Sequence, residues 1–217
     1  MTLYLKDLFR ARNTVLEMFQ DRGYKLTGYK SILSKQTFEQ FKNLKNIDIH
    51  IKNYIGKTEP FNILDTNKKL VRNDIYVKFL YTKKNTPSYI REIILDIYKM
   101  TKDINVKIIL ILKEKPNNTI LKIIKDPRFC QLEIFWLKSL VFNITKHTYV
   151  PKHIPITDET EKQKLIDKFN ISNFKQFPII LKTDPVNKYY NLKSGDLFKI
   201  IRKSMTSGIS TVYRYVK

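Results

Sequence analysis

The feature that most constrains this chain is a change of hydrophobic period in its first half. Val106 to Leu112 is nearly all β-branched residues or leucine. It has the length and composition of a strand covered on both faces. Upstream, Ile75, Val77 and Phe79 alternate with Tyr76 and Lys78, as the residues of a half-buried strand do. Between the two, Pro87 stands where the first turn of a helix tolerates proline, and Ile90, Ile93, Ile94 and Ile97 then recur at helical spacing. Strand, helix, buried strand is the βαβ pattern, whose strands run parallel and whose crossover is right-handed. The sequence thus predicts a partly parallel, mixed sheet.

The flanking segments extend that unit. Leu5, Leu8, Phe9, Val15, Leu16 and Phe19 mark one face of an amphipathic helix, and Gly23 supplies its left-handed stop. Phe38, Phe41 and Leu44 suggest a shorter helix, and Ile47, Ile49 and Ile51 a strand. A helix from Thr119 to Lys125 and a strand from Leu132 to Trp136 would complete a three-layer α/β domain over residues 1–142. Past Asn143, Pro151 and Pro155 bracket a segment that can be neither regular helix nor central strand. A boundary is expected there, with a small α+β domain over 143–217. In it, Thr157 would cap a helix running to about Phe169, with Asp158, Glu159 and Glu161 at the positive end of its dipole. Phe198 to Ile201 and Val212 to Val216 read as strands joined by a loop around Gly208.

Composition removes several classes of function. The longest apolar run, Ile108 to Leu112, is far shorter than the roughly 20 residues of a membrane span. Lys6, Asp7 and Arg10 interrupt the start of the chain, where a secretory signal needs an unbroken apolar stretch. No membrane partner is expected, and the chain should stay in a reducing compartment. One cysteine, Cys130, and three histidines, His50, His147 and His153, make neither a disulfide framework nor a four-ligand zinc site. Cys130 reads as a small buried hydrophobe, and the two later histidines as capping or packing groups. The formal charge of +21 favours an anionic partner through counterion release. The same excess, lysine-rich beside many Ile and Asn with Ala11 the only alanine, is also what AT-rich coding produces whatever the function. Both origins stay open.

A basic α/β domain could be a nuclease, whose strand would present an acid two positions before a lysine, both aimed at one metal and its water. No Asp or Glu here has Lys two residues later. The five glycines form no phosphate loop, and no serine lies in a nucleophile-elbow pattern. The chain alone is not expected to be an enzyme, to need a cofactor or to bind a metal.

Two stretches carry a resemblance. The first is Arg10-Ala11-Arg12-Asn13-Thr14-Val15-Leu16-Glu17-Met18, followed by Asp21-Arg22-Gly23-Tyr24. The second is denser: Asn143-Ile144-Thr145, His147, Val150-Pro151 and His153, then Asp184-Pro185-Val186, Tyr189-Tyr190, Leu192-Lys193, Gly195, Lys199-Ile200-Ile201-Arg202, Ser204, Thr206, Gly208 and Tyr213-Arg214. In order and spacing they resemble the fifth subunit shared by eukaryotic RNA polymerases I, II and III, whose C-terminal domain has a counterpart in a small subunit of archaeal RNA polymerase. The middle, Lys25 to about Leu132, resembles that family only in the order of its strands and helices. Some positions depart. Arg202-Lys203-Ser204-Met205-Thr206-Ser207-Gly208 stands where Arg-Pro-Ser-Glu-Thr-Ala-Gly is usual, Asn191 where glycine is, and Ile179 where arginine is. Asn191 is a tolerable exchange because asparagine also enters the left-handed region. Such divergence fits a large DNA virus with its own polymerase or a fast-evolving parasitic eukaryote.

The resemblance implies a non-catalytic subunit of a DNA-dependent RNA polymerase. Its N-terminal domain would form part of the lower jaw near downstream duplex DNA, without reading sequence, and its C-terminal domain would dock on the largest subunit beside neighbouring small subunits. Asp184, Pro185, Val186, Tyr189, Gly195, Arg202 and Thr206 are the expected subunit-binding residues. Among them Asp184-Pro185 reads as a turn starter, Gly195 as a strand-linking turn with positive φ, and Arg202 as a bidentate ligand for a partner carboxylate. Lys83, Lys84, Lys113 and Lys115 are the expected DNA-proximal residues, all in loops, with no interleaved aromatics for base stacking. The location would be the nucleus in a cellular organism, or host cytoplasm and virion for a virus. Two other readings remain: a free-standing basic DNA-binding adaptor with the same fold, and an unrecognised nuclease.

Overall fold

The computed structural model describes residues 2–24, 38–42, 47–51, 75–81, 86–101, 106–124, 126–129, 131–204 and 208–217. The chain divides into two compact units, Met1–Phe142 and Asn143–Lys217. Both helices and mixed sheets are present, as an α/β and α+β fold requires.

The N-terminal unit opens with α1 (Thr2–Asp21), which buries Leu8, Ala11, Val15, Met18 and Phe19 along one stripe. Gly23 takes φ +83° just past its end. There the Tyr24 N–H donates to Phe19 O at 3.0 Å and the Gly23 N–H to Gln20 O at 2.9 Å, the paired bonds of a Schellman stop. In α2 (Phe38–Lys42), Phe38 and Phe41 pack on the Phe9 ring at 5.7 and 5.4 Å. Strands β1 (Ile49–Ile51), β2 (Ile75–Leu80), β3 (Lys107–Leu112) and β4 (Leu132–Trp136) form a sheet in that order. β1 is antiparallel to β2, and β2, β3 and β4 are parallel. Two βαβ units therefore share β3, through α3 (Pro87–Thr101) and α4 (Asn118–Ile124).

Alternation along the strands explains the layers. Ile108, Leu110 and Leu112, with Leu132 and Ile134, join Ile90, Ile94 and Ile97 of α3 and Ile120 and Ile123 of α4 in one core. Ile109 and Ile111 point the other way and are equally buried. On that side the Arg22 guanidinium, just past α1, reaches the β4 carboxylate of Glu133 at 3.0 and 2.8 Å, and Lys107 Nζ donates to the Tyr24 hydroxyl at 3.2 Å. Each aliphatic side chain so enclosed contributes roughly 1.5–3 kcal/mol. Burial alone would lower the Arg22 pKa; attraction to Glu133 and the bonds between them, with Tyr24, raise it. A short helix, α5 (Leu137–Leu140), packs against α1.

In the C-terminal unit, β5 (Lys152–Ile156), β7 (Leu197–Ser204), β8 (Gly208–Val216) and β6 (Ile179–Ile180) lie in the order β5-β7-β8-β6. β6 is parallel to β8 and the other pairs are antiparallel. The helices are α6 (Glu159–Phe169) and α7 (Pro185–Tyr190). Leu197 packs with Ile156 and with Leu165 of α6, while Phe198 and Ile200 pack with Ile180, Leu192 and Val216 on the opposite face. Lys162 of α6 is buried, its Nζ 2.8 Å from Glu159 and 3.0 Å from Asp196.

Several expectations need correcting in this unit. The N-cap of α6 is Asp158, whose Oδ1 accepts from the Thr160 N–H at 3.2 Å, rather than Thr157. The proline-bracketed segment is, as expected, no central strand: it holds β5 at the sheet edge, where Pro155 is tolerated because the outer edge needs no ladder bond from it. β7 and β8 run further toward their turn than their apolar residues suggest, since backbone pairing carries on through Arg202–Ser210 to Ser204–Gly208. Gly208, with φ +68°, is thus the first residue of β8. Asp184-Pro185 starts a helix rather than a turn. Leu44 and Cys130 lie outside the described residues.

Candidate functional site

A cavity of about 260 Å³ opens on one face of the C-terminal sheet. Its position follows from the β7–β8 hairpin. With a period of two, Phe198, Ile200 and Arg202 share a face with their partners Arg214, Val212 and Ser210. Burial falls along this row: Phe198 is fully enclosed, Ile200 is 5% exposed and Arg202 is exposed. Ile180, Val186, Ile200 and Val212 line the cavity together with Val150, Pro151 and His153 from the segment entering β5. Arg202, Arg214 and Asp184 add charge, and Tyr149, 89% exposed, stands at the rim.

Local bonding fixes several of these groups. Asp184 caps α7, its Oδ1 accepting from the Val186 N–H at 2.8 Å and the Asn187 N–H at 3.4 Å, with Pro185 at the first helical position. His153 Nδ1 donates to the Pro151 carbonyl at 2.7 Å, and its ring meets Phe198 edge-on at 5.5 Å. Burial pushes the His153 pKa below its ordinary value; the Pro151 bond and Asp184 act against this and Arg214 acts with it. The imidazole is therefore neutral at pH 7. Among the described residues neither Arg202 nor Arg214 has a carboxylate within ion-pair distance; Arg214 Nη1 donates to the Ile179 carbonyl at 3.5 Å. The cavity thus joins an apolar floor to two guanidinium groups and one carboxylate already engaged as a helix cap.

Of the expected subunit-binding residues, Asp184, Val186 and Arg202 come together here. Pro185 is exposed beside them, while Val186 and Tyr189 are buried at 7% and 3% exposure. Tyr189 is enclosed within the unit. Its hydroxyl accepts from Asn143 Nδ2 at 2.9 Å, and Asn143 Oδ1 accepts from the Thr145 N–H and hydroxyl at 3.0 and 2.7 Å. Gly195 has φ +105°, in the turn from α7 to β7 rather than between strands. Thr206 lies outside the described residues, as do Lys83 and Lys84. Lys113 and Lys115 are exposed between β3 and α4, with Lys113 Nζ 5.5 Å from the Tyr4 ring centroid. Arg214 and Tyr149 were not among the expected site residues. The alternation of β8 could have found Arg214, but only with the hairpin register in hand. Among the described residues no group of three or more His, Cys, Asp or Glu side chains could hold a metal ion.

Two sequence families match the chain: "RNA polymerase Rpb5, N-terminal domain" over residues 4–97 and "RNA polymerase Rpb5, C-terminal domain" over 142–216. A subunit of RNA polymerases I, II and III from Dictyostelium discoideum is 32% identical over 95% of both chains. The chain belongs to the RNA polymerase Rpb5 family. Another relative, subunit 5B of RNA polymerases IV and V from Arabidopsis thaliana, is 30% identical over 96% of this chain and 88% of its own. The archaeal RNA polymerase subunit Rpo5 of Methanosphaera stadtmanae is 45% identical over 75 residues, 35% of this chain and 95% of its own length. Every residue lining the cavity falls within the Rpb5 C-terminal match.

Proposed function

We propose that this Rpb5-family chain serves as a non-catalytic subunit of a multi-subunit DNA-dependent RNA polymerase, docked through its C-terminal unit on the largest subunit and presenting its N-terminal unit to downstream DNA. The observation that carries the reading is the match to polymerase subunits along nearly the whole chain, both family domains present in order. The exposed cations and open face of the C-terminal unit suit a docking role. The exposed Lys113 and Lys115 suit phosphate attraction without base reading. In a cellular organism the protein would act in the nucleus; encoded by a virus, it would act in host cytoplasm and virion.

Co-purification tests this. A subunit should stay in fixed ratio with the catalytic chains through a high-salt wash. A free-standing basic adaptor, which the charge of +21 would favour, should be stripped, because phosphate contacts weaken steeply with salt. Loss at high salt would overturn the subunit reading in favour of the adaptor.

A further inference from the structure

We infer that the cavity on the α7 side of the C-terminal sheet receives an acidic side chain, flanked by an aliphatic or aromatic residue, from a segment of a partner polymerase subunit. The inference rests on the subunit reading above and adds the chemistry of the partner.

Charge complementarity names the acid. Arg202 and Arg214 lie on neighbouring strands on one face of the hairpin and border the same cavity. Both are exposed, and among the described residues neither is neutralised by a carboxylate. A guanidinium offers a planar fork matched to two carboxylate oxygens, and two such forks at one opening make an electropositive mouth. Asp184 keeps its charge while it caps α7 and offsets only one of the two cations, so the cavity carries a net positive charge. His153 holds its proton on the Pro151 side and adds no charge at pH 7.

The floor names the neighbour of that acid. Ile180, Val186, Ile200 and Val212 present aliphatic surface beneath the cations, which an all-polar ligand would leave poorly covered. The volume, about 260 Å³, falls below the roughly 300–1,000 Å³ of small-molecule sites. It suits inserted side chains better than a cofactor. A phosphate backbone fits less well: it follows an extended basic track, whereas here two cations border one cavity with an apolar floor and a carboxylate beside them. The exposed Tyr149 ring at the rim is the kind of aromatic that closes over an interface residue.

The test uses the full chain in the assembled polymerase, with a photo-crosslinking amino acid replacing Tyr149, whose exposure makes the change harmless to folding. The expected product is a link to one segment of a polymerase subunit containing Asp or Glu next to an apolar residue. Changing Arg202→Gln and Arg214→Gln together should cut its yield by about tenfold or more, while circular dichroism of the chain is unchanged. A link to nucleic acid, to a second copy of this chain or to a segment without a carboxylate overturns the inference, as does a yield insensitive to the two arginines. Absence of any link in a chain that still co-purifies with the catalytic subunits overturns it and leaves the subunit reading standing. A chain that does not co-purify at all overturns both.

Discussion

The two units use the same residue types to opposite ends. In the N-terminal unit the sheet is covered on both faces, Ile108 to Leu112 are all buried, and the Arg22 guanidinium is matched by Glu133 inside the unit. In the C-terminal unit the face bearing Phe198, Ile200 and Arg202 passes from enclosed to open along one strand, and its arginines have no carboxylate partner among the described residues. A cation in the first place holds layers together, and in the second it is available to another molecule. The distinction lies in the neighbours of the arginine, which decide whether its charge is satisfied within the chain.

The largest effect should come from breaking the internal pair. Arg22→Ala leaves Glu133 enclosed without its counter-charge and should destabilise the chain by about 3–5 kcal/mol in urea unfolding. Arg22→Met with Glu133→Leu should recover most of that loss. Equal loss in the single and double variants would show that packing, and not the pair, holds α1 on the sheet.

Packing sharpens the comparison further. Leu110→Ala, at the centre of the doubly covered sheet, should cost about 3–5 kcal/mol, while Ile200→Ala, beside an existing cavity, should cost about 2 kcal/mol. Equal midpoints would mean that the C-terminal face is packed as tightly as the N-terminal core. Next in size, Arg202→Ala should weaken polymerase docking by about 2 kcal/mol, and Arg202→Lys should recover only part of it because a point charge lacks the fork. Titration of the labelled chain against the remaining subunits reads the difference; equal, negligible effects would make Arg202 merely solvated.

Lys162 gives a smaller, pH-dependent effect. Burial alone would lower its pKa, but the hydrogen bonds and charges of Glu159 and Asp196 raise it above the ordinary lysine value. A raised folded pKa means that the contribution is fully present below the unfolded pKa, about 10.4, and is lost as pH rises through the folded pKa. Lys162→Met should therefore abolish a stability loss on the order of 1 kcal/mol that the parent chain shows above pH 10 in urea midpoints. A parallel pH profile in both proteins would refute it. The smallest effect belongs to four lysines. Neutralising Lys83, Lys84, Lys113 and Lys115 together should weaken the assembled polymerase's hold on downstream duplex about equally for every sequence and flatten its salt dependence. An unchanged salt slope would mark the charge as compositional, and a sequence-dependent loss would mean that the unit reads bases.

What the sequence determined by itself is the part of the fold written in periodicity and in local stops. The βαβ pattern was legible because strand and helix expose apolar side chains at different intervals, and Ile75, Val77, Ile90, Ile94 and Ile108 to Leu112 keep those intervals without interruption. Gly23 was legible as a stop because only glycine enters the left-handed region at no steric cost, and the tolerance of Asn191 there shows in its φ of +54°. Tertiary structure alone decided the rest. β6 has two residues and owes its existence to its pairing with β8; the tips of β7 and β8, where Ile209 is the one apolar residue and is exposed, are held by backbone bonds, which carry no signal in side-chain pattern. Tyr189, expected at a surface, is enclosed because Asn143, 46 residues away, meets its hydroxyl. Arg202 and Arg214 came to border one cavity only when the hairpin register set them on one face. A register is a relation between distant segments, chosen by the packing of both, and neither segment records it alone.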